Sequence, residues 1–392
     1  MFELNRPYRS TSRRNRRQFI RAAGAMTLPF LFGGKLLAEV PDPDQLIVRE
    51  QNPDNFEFPF HTLNSFLTPN DRFYVRNHFA APTIKMADWS LEVVGAVENP
   101  LKLSYERLTS LPVTRMPMTL ECAGNGRSHL VPKAGGVQWD LGAVSTAEWA
   151  GVTLAAVLKE AKIKRGAVEV ILEGTDTAEP KNPPKPVGAI AFARSLPVGK
   201  ALRPEVLLAY KMNGAALPNA HGFPLRAVVG GWYGMASVKW LRRIVVTEKP
   251  FHGYWQTTDY SVWEKRDGLP TQVPITEMQA KASIALPRAA DVLPAGKPVR
   301  VYGAAWSGES KVAKVQISTD DGKTWAEAKL LGDPVPYCWR LWEHTWNAPA
   351  AGKYVLLARA IDERGRVQDE SRDPDRRNYV ISHSLRTEVT VK

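Results

Sequence analysis

A cysteine stands in the run Met118-Thr119-Leu120-Glu121-Cys122-Ala123-Gly124-Asn125-Gly126-Arg127, where two glycines separate it from an arginine. A thiolate is a soft nucleophile and metal ligand, and a nearby guanidinium favours that charged form. Gly124 and Gly126 permit tight turns and close approach of a ligand to the backbone. An isolated cysteine more often fills a core, but this polar, glycine-rich setting points to a thiol held ready for a partner. The second cysteine, Cys338, lies more than two hundred residues later. The residues alone leave open a disulfide between the two or a thiol occupied by something else.

Positioning such a thiol needs a scaffold, and the pattern before residue 270 is mixed α+β. Strands are expected at residues 90–94, 168–173 and 225–229, and helices at Leu154–Ala161 and around 104–108. Regular strand-helix alternation and a Gly-x-Gly-x-x-Gly turn are both missing, which argues against a dinucleotide-binding fold. From about Ile275 the chain turns to β-branched and aromatic runs broken every eight to twelve residues by Gly, Pro and Asp. Residues 299–305, 312–318, 339–346 and 354–362, with the turn Asp320-Asp321-Gly322, suggest a seven-strand β-sandwich of immunoglobulin type. It has no Cys-Trp-Cys framework, so sheet packing must hold it.

The formal charge of +12 on 392 residues would suit a nucleic-acid partner, but its distribution argues against one. Seven arginines and Lys35 against Glu3 place about +7 of it in residues 1–38. There Asn15-Arg16-Arg17-Gln18-Phe19-Ile20-Arg21 precedes a weakly apolar run, the pattern of a twin-arginine export signal. The run, containing Gly24, Pro29, Gly33, Gly34 and Lys35, is too polar and short to span a bilayer stably. Cleavage after Ala38 is one expectation and an uncleaved anchor the other. Export by this route implies a periplasmic protein folded before transport, often around a cofactor.

The segment Glu121-Cys122-Ala123-Gly124-Asn125-Gly126-Arg127 resembles the cofactor-ligand motif of the sulfite oxidase family of molybdopterin enzymes. Two further blocks resemble the same family: Phe73-Tyr74-Val75-Arg76-Asn77-His78, and His221-Gly222-Phe223-Pro224-Leu225-Arg226 with residues 231–241. The resemblance covers roughly residues 60–392. It implies a molybdopterin domain over 60–270 and an immunoglobulin-like dimerisation domain over 271–392, after a signal at 1–38 and a linker at 39–59. It implies one molybdenum-molybdopterin per chain, with Cys122 as the metal's thiolate ligand. Asn77, His78, Asp176, His221, Arg226, Ser237, Val238 and Lys239 would hold the pterin and its phosphate, for which cationic forks and amides are suited. Arg76, Arg127 and Arg340 would bind an oxyanion bidentately, Trp139 would wall the pocket, and Tyr260 would act beside the metal.

The implied activity is oxidation of sulfite, or a related sulfur oxyanion, by a homodimer. Cys-x-x-Cys-His and a cytochrome b5-like extension are missing from the sequence. No haem is therefore expected in this chain, and electrons would pass to a separate acceptor such as a c-type cytochrome. Gly126 and Ala236 stand where animal members tend to carry arginine. Fewer cations there weaken the expectation of tight sulfite binding. A sulfane dehydrogenase of a thiosulfate-oxidising complex would share fold, cofactor and most of the site. The family's methionine sulfoxide reductase branch lacks the sandwich, and a non-catalytic exported binding protein would leave all three blocks unexplained.

Overall fold

The computed structural model describes residues 45–181 and 184–392. The twin-arginine segment, the apolar run after it and the beginning of the expected linker lie outside the described residues. Among those described, no helix is long and apolar enough to cross a membrane.

The first part of the chain is α+β, with far more strand than helix. One sheet runs in the order Leu101–Leu103, Leu91–Gly95, Leu241–Thr247, Glu169–Ala178, Ile190–Pro197. Its pairings are antiparallel except between Leu91–Gly95 and Leu241–Thr247. A second sheet runs Ala215–Ala216, Val206–Met212, Val144–Thr153, Thr114–Glu121, and Arg226–Val229 also pairs with Val206–Met212. Alternating or continuous runs of Val, Leu, Ile and Ala make these strands, as expected where one or both faces are buried.

The helix Leu154–Ala161 forms as its spacing predicts. Leu154, Val157, Leu158 and Ala161 bury one stripe, and the Thr153 hydroxyl accepts the Ala156 N–H at its start. The shorter helix Tyr105–Thr109 is capped in the same way by Ser104, which accepts from Arg107 N–H.

The described part of the expected linker, residues 45–59, is not simply a linker. Ile47–Glu50 and Asn55–Glu57 are strands, and with Val75–Arg76 they form a three-stranded sheet. Buried polar side chains hold it. Asn55 and Glu57 are both enclosed, Glu57 pairs with Arg49, and its carboxylate accepts the N–H of Gly142 at 2.6 Å. Turn-forming Pro and Asp residues nearby hide these short strands from a reading of periodicity.

The C-terminal part is a sandwich whose strands follow the order Lys281–Leu286, Pro298–Trp306, Arg340–Asn347, Ala326–Leu330, Val312–Ser318, Gly352–Asp362, Thr387–Val391, Val292–Leu293. That is eight strands where seven were expected. The additional one, Val292–Leu293, is two residues long and stops before Pro294, too short to leave a pattern. Val301, Val315, Ile317, Trp342, Leu356 and Ala360 fill the sandwich core.

A larger core crosses the boundary between the two parts. Tyr302, Trp306, Trp339, Tyr379 and Val380 from the C-terminal region pack in one cluster with Phe73, Leu120, Trp139 and Tyr260. Backbone bonds reinforce the junction: Thr119 N–H donates to Tyr337 and Val380 N–H to Ala123.

Candidate active site

Six stretches of chain, counting Phe192, converge on one cavity. Arg76, Asn77 and His78 follow the edge strand Val75–Arg76, and Cys122 follows the strand Thr114–Glu121. Asp176 comes from Glu169–Ala178. His221, Arg226, Ser237, Val238 and Lys239 come from the turns and short strand between residues 219 and 240, and Tyr260 from the turn before the hairpin Ser261–Arg266/Leu269–Pro274. All of these expected residues line one space.

Local geometry explains how the thiol is presented. Cys122 N–H still pairs with Ala143, the last ladder bond of its strand, and Asn125 N–H then turns back to Cys122 at 2.9 Å. Arg127 folds over this turn so closely that a Cβ on Gly124 would lie 2.3 Å from its guanidinium. Gly222 is required in the same sense: its φ is +103°, and a Cβ there would meet Arg226 and Lys239 at 3.1 Å. Both cysteines are free and buried, which rules out the disulfide left open by the sequence. Burial pushes the Cys338 thiol up to about 12, so it stays protonated and inert.

The electrostatics of the cavity are one-sided. Arg76, Arg226 and Lys239 line it against a single carboxylate, Asp176. The arginines are satisfied by neutral oxygens. Arg226 donates to the carbonyls of His221, Ala227 and Ser237 at 3.0 to 3.2 Å, and Arg76 to Asn77 O and to Asn55 Oδ1. Carbonyls complete the hydrogen bonding without cancelling the charge. Lys239 donates to Asn77 Oδ1 and, at 2.8 Å, to Ala220 O. Burial, then Arg226 and Arg76, hold its ammonium well below the ordinary lysine range, against the pull of Asp176.

Burial lowers His221 to about 3, with Lys239 and Arg226 adding to the effect, and holds His78 well below its usual value. Both imidazoles are therefore neutral. His78 Nε2 lies 2.5 Å from the Tyr260 hydroxyl, and its ring stacks on Phe192 with centroids 4.5 Å apart. Tyr260 is pushed up by burial, with Arg76 opposing, and keeps its proton.

Three expected residues lie elsewhere. Arg340 sits on a sandwich strand, where its guanidinium donates to Gly332 O, and is not among the lining residues. The arginine that the C-terminal region brings beside Tyr260 is Arg377, bonded to Thr258 O, Asp259 O and Ser261 Oγ. Trp139 is wholly buried, its carbonyl accepts Ser128 N–H, and it is not among the lining residues, although its indole N–H has no acceptor among the described residues. Arg127 stands one ring back. It donates to Val137 O and Asn378 O, and its guanidinium lies 5.2 Å from the Tyr379 ring, which packs on Tyr260.

Sequence reasoning missed several groups. Phe192 and Tyr74 also line the cavity, Asn55 anchors Asn77 N–H at 3.0 Å, and Tyr379 donates to Asp259 at 2.5 Å. Tyr74 lay within a block already singled out. Nothing local marks the others.

The donor set fits a particular kind of ligand. No group of three His, Cys, Asp or Glu among the described residues could hold a metal ion. A metal at Cys122 would have to arrive within an organic chelator. Surplus buried cations among the lining residues call for an anionic group on that chelator.

The chain belongs to the molybdopterin oxidoreductases: residues 78–255 match the oxidoreductase molybdopterin binding domain, and residues 272–377 match the Mo-co oxidoreductase dimerisation domain. It is 38% identical over 349 residues to sulfite oxidase of Gallus gallus, covering 84% of this chain and 74% of that protein. It is 37% identical to mitochondrial sulfite oxidase of Homo sapiens, of which it spans 62%. The solved structure of the sulfane dehydrogenase SoxCD from Paracoccus pantotrophus superposes with a TM-score of 0.74 at 26% identity, covering 91% of this chain and 92% of that one. The chain is thus an oxidoreductase with a molybdopterin-binding domain and a dimerisation domain.

Proposed function

We propose that this protein oxidises sulfite to sulfate in the periplasm, as a homodimer reached through the twin-arginine route, and passes the electrons to a separate c-type cytochrome. The observation that carries the reading is the cavity itself: one thiol and one carboxylate among buried cations whose hydrogen bonds end on carbonyls. Such a site takes a dianion and an anionic cofactor together. The similarity to sulfite oxidases over 84% of the chain supports the choice of sulfite.

The reaction converts sulfite and water into sulfate, two protons and two electrons. Bound molybdenum-molybdopterin supplies oxygen transfer and two-electron redox chemistry. Cys122 supplies a thiolate to the metal, a soft donor suited to it. Arg226, Lys239, His221 and Ser237 hold the phosphate, and Asn77, His78, Asp176 and Val238 position the pterin. Arg76 binds sulfite, and Arg127 adds positive field from behind Tyr379. Tyr260, protonated and hydrogen-bonded to neutral His78, offers an O–H to the reacting oxygen and a route for a departing proton.

A second reading, sulfane oxidation within a larger complex, is favoured by the SoxCD superposition. Both readings share the site. Protein produced with the molybdopterin pathway should contain one molybdenum per chain and reduce ferricyanide and cytochrome c when sulfite is added. Cys122→Ser should abolish turnover. Metal-free protein, or loaded protein indifferent to sulfite, would overturn the proposal.

A further inference from the structure

Glu121 immediately precedes Cys122 yet does not line the cavity. Its carboxylate is 1% exposed and fully bonded. Oε1 accepts from Lys281 Nζ at 3.0 Å and Asn125 Nδ2 at 3.1 Å, and Oε2 accepts from Trp306 Nε1 at 2.8 Å. Lys281 and Trp306 face each other across the first two sandwich strands and are themselves buried. Two of the three donors on Glu121 therefore come from the dimerisation domain.

Lys281 does more than pair with a carboxylate. The same ammonium donates to Asn125 O at 3.1 Å, and Asn125 N–H closes the turn onto Cys122 O. One buried cation thus spans both ends of the four-residue turn that carries the thiol. Asn125 Oδ1 then accepts Ala143 N–H at 3.0 Å, locking the turn to the neighbouring strand. Stability alone is a weak explanation, because desolvating two charges can cost as much as their attraction returns, and apolar side chains of similar size often serve a core as well. What the ion pair provides is a fixed geometry.

We propose that Lys281 and Trp306 are positioning residues for the Cys122 thiolate, so that the sandwich governs the geometry of the metal ligand as well as subunit pairing. The proposal rests on the reading of Cys122 as ligand given above. Small displacements at a reacting centre reduce rate more than affinity. The effect should therefore appear in kcat, in the metal's spectrum and in the mobility of the turn.

The test compares molybdenum-loaded and metal-free forms of wild type, Trp306→Phe, Lys281→Met and the pair Glu121→Gln/Lys281→Met. Trp306→Phe keeps an aromatic side chain, leaves the Glu121–Lys281 ion pair in place and removes the indole hydrogen bond along with one buried ring, so it decides the matter if Lys281→Met fails to fold. In metal-free protein, amide hydrogen exchange over residues 121–127 should rise about tenfold in Trp306→Phe, while exchange in the sandwich strands stays as in wild type. In loaded protein, kcat should fall roughly tenfold with KM for sulfite within about twofold, and the Mo(V) paramagnetic resonance signal should shift. Adding Glu121→Gln should relieve part of the Lys281→Met defect by removing the unpaired carboxylate. Wild-type exchange in the turn and an unshifted signal in Trp306→Phe, with Cys122→Ser inactive, would overturn the positioning role alone. Full metal content and turnover in Cys122→Ser would instead overturn the ligand assignment beneath it.

Discussion

Replacing Asp176 by asparagine should stabilise the metal-free protein at pH 8, although it removes a charge beside a lysine. Burial pushes the Asp176 carboxyl up to about 6 from an ordinary 3.8, outweighing the opposing pull of Lys239 and Arg242. The ionised folded form thus carries a penalty of about 3 kcal/mol that the unfolded chain does not. Below about pH 4 the group is protonated in both states, and variant and wild type should coincide. Between about 4 and 6 the folded chain keeps a proton that the unfolded chain has released, so wild-type stability falls as pH rises, and the penalty is complete above about 6. Asparagine escapes it. The pull of Lys239 is already contained in that shift, so the gain should be about 1 to 3 kcal/mol, or roughly 5- to 150-fold in the unfolding constant. Urea denaturation at pH 4 and pH 8 measures the difference, and molybdenum content after co-expression should fall, since an anionic acceptor for the pterin is gone. A variant no more stable than wild type at pH 8 would refute the reasoning, because Asp176 would then not be a strained group retained for a ligand.

Tyr260→Phe removes the hydroxyl that meets His78 at 2.5 Å and should lower kcat by about two orders of magnitude, measured by steady-state ferricyanide reduction. A wild-type kcat would exclude the hydroxyl from the reaction. Arg127→Gln should raise KM for sulfite severalfold, the scale of a charge-assisted contact worth about 1.5 to 3 kcal/mol in part realised through Tyr379; an unchanged KM would place its charge out of the substrate's reach. Arg340→Ala should leave kcat/KM within about twofold, because its guanidinium is engaged on Gly332 O. A large loss there would restore it to the binding site.

Legibility in the sequence followed contiguity. The runs around Cys122 and between His221 and Trp240 could be read because each places several lining residues within one short segment. The fold class and the helix Leu154–Ala161 were equally readable, the latter from its apolar spacing. Groups that join by tertiary contact were not. Asn55 sits in a stretch that looks like a linker, and its importance comes from bonds to Arg76 and Asn77 more than twenty residues away. Arg340 was expected in the pocket only through the family resemblance; strand pairing with Ala305 places it on the sandwich, away from the lining residues. The turn from Asn378 to Val380 has no pattern of its own, yet it closes over Ala123 and Arg127.

Arginines bonded to carbonyls bear on the order in which the molecule is made. Arg76, Arg226 and Lys239 repel one another across the cavity until an anion enters, and the metal-free chain must fold against that repulsion. Cofactor binding removes it and adds the stability of any ligand that binds only the native state. Loading would then be readable from outside as firmness of fold.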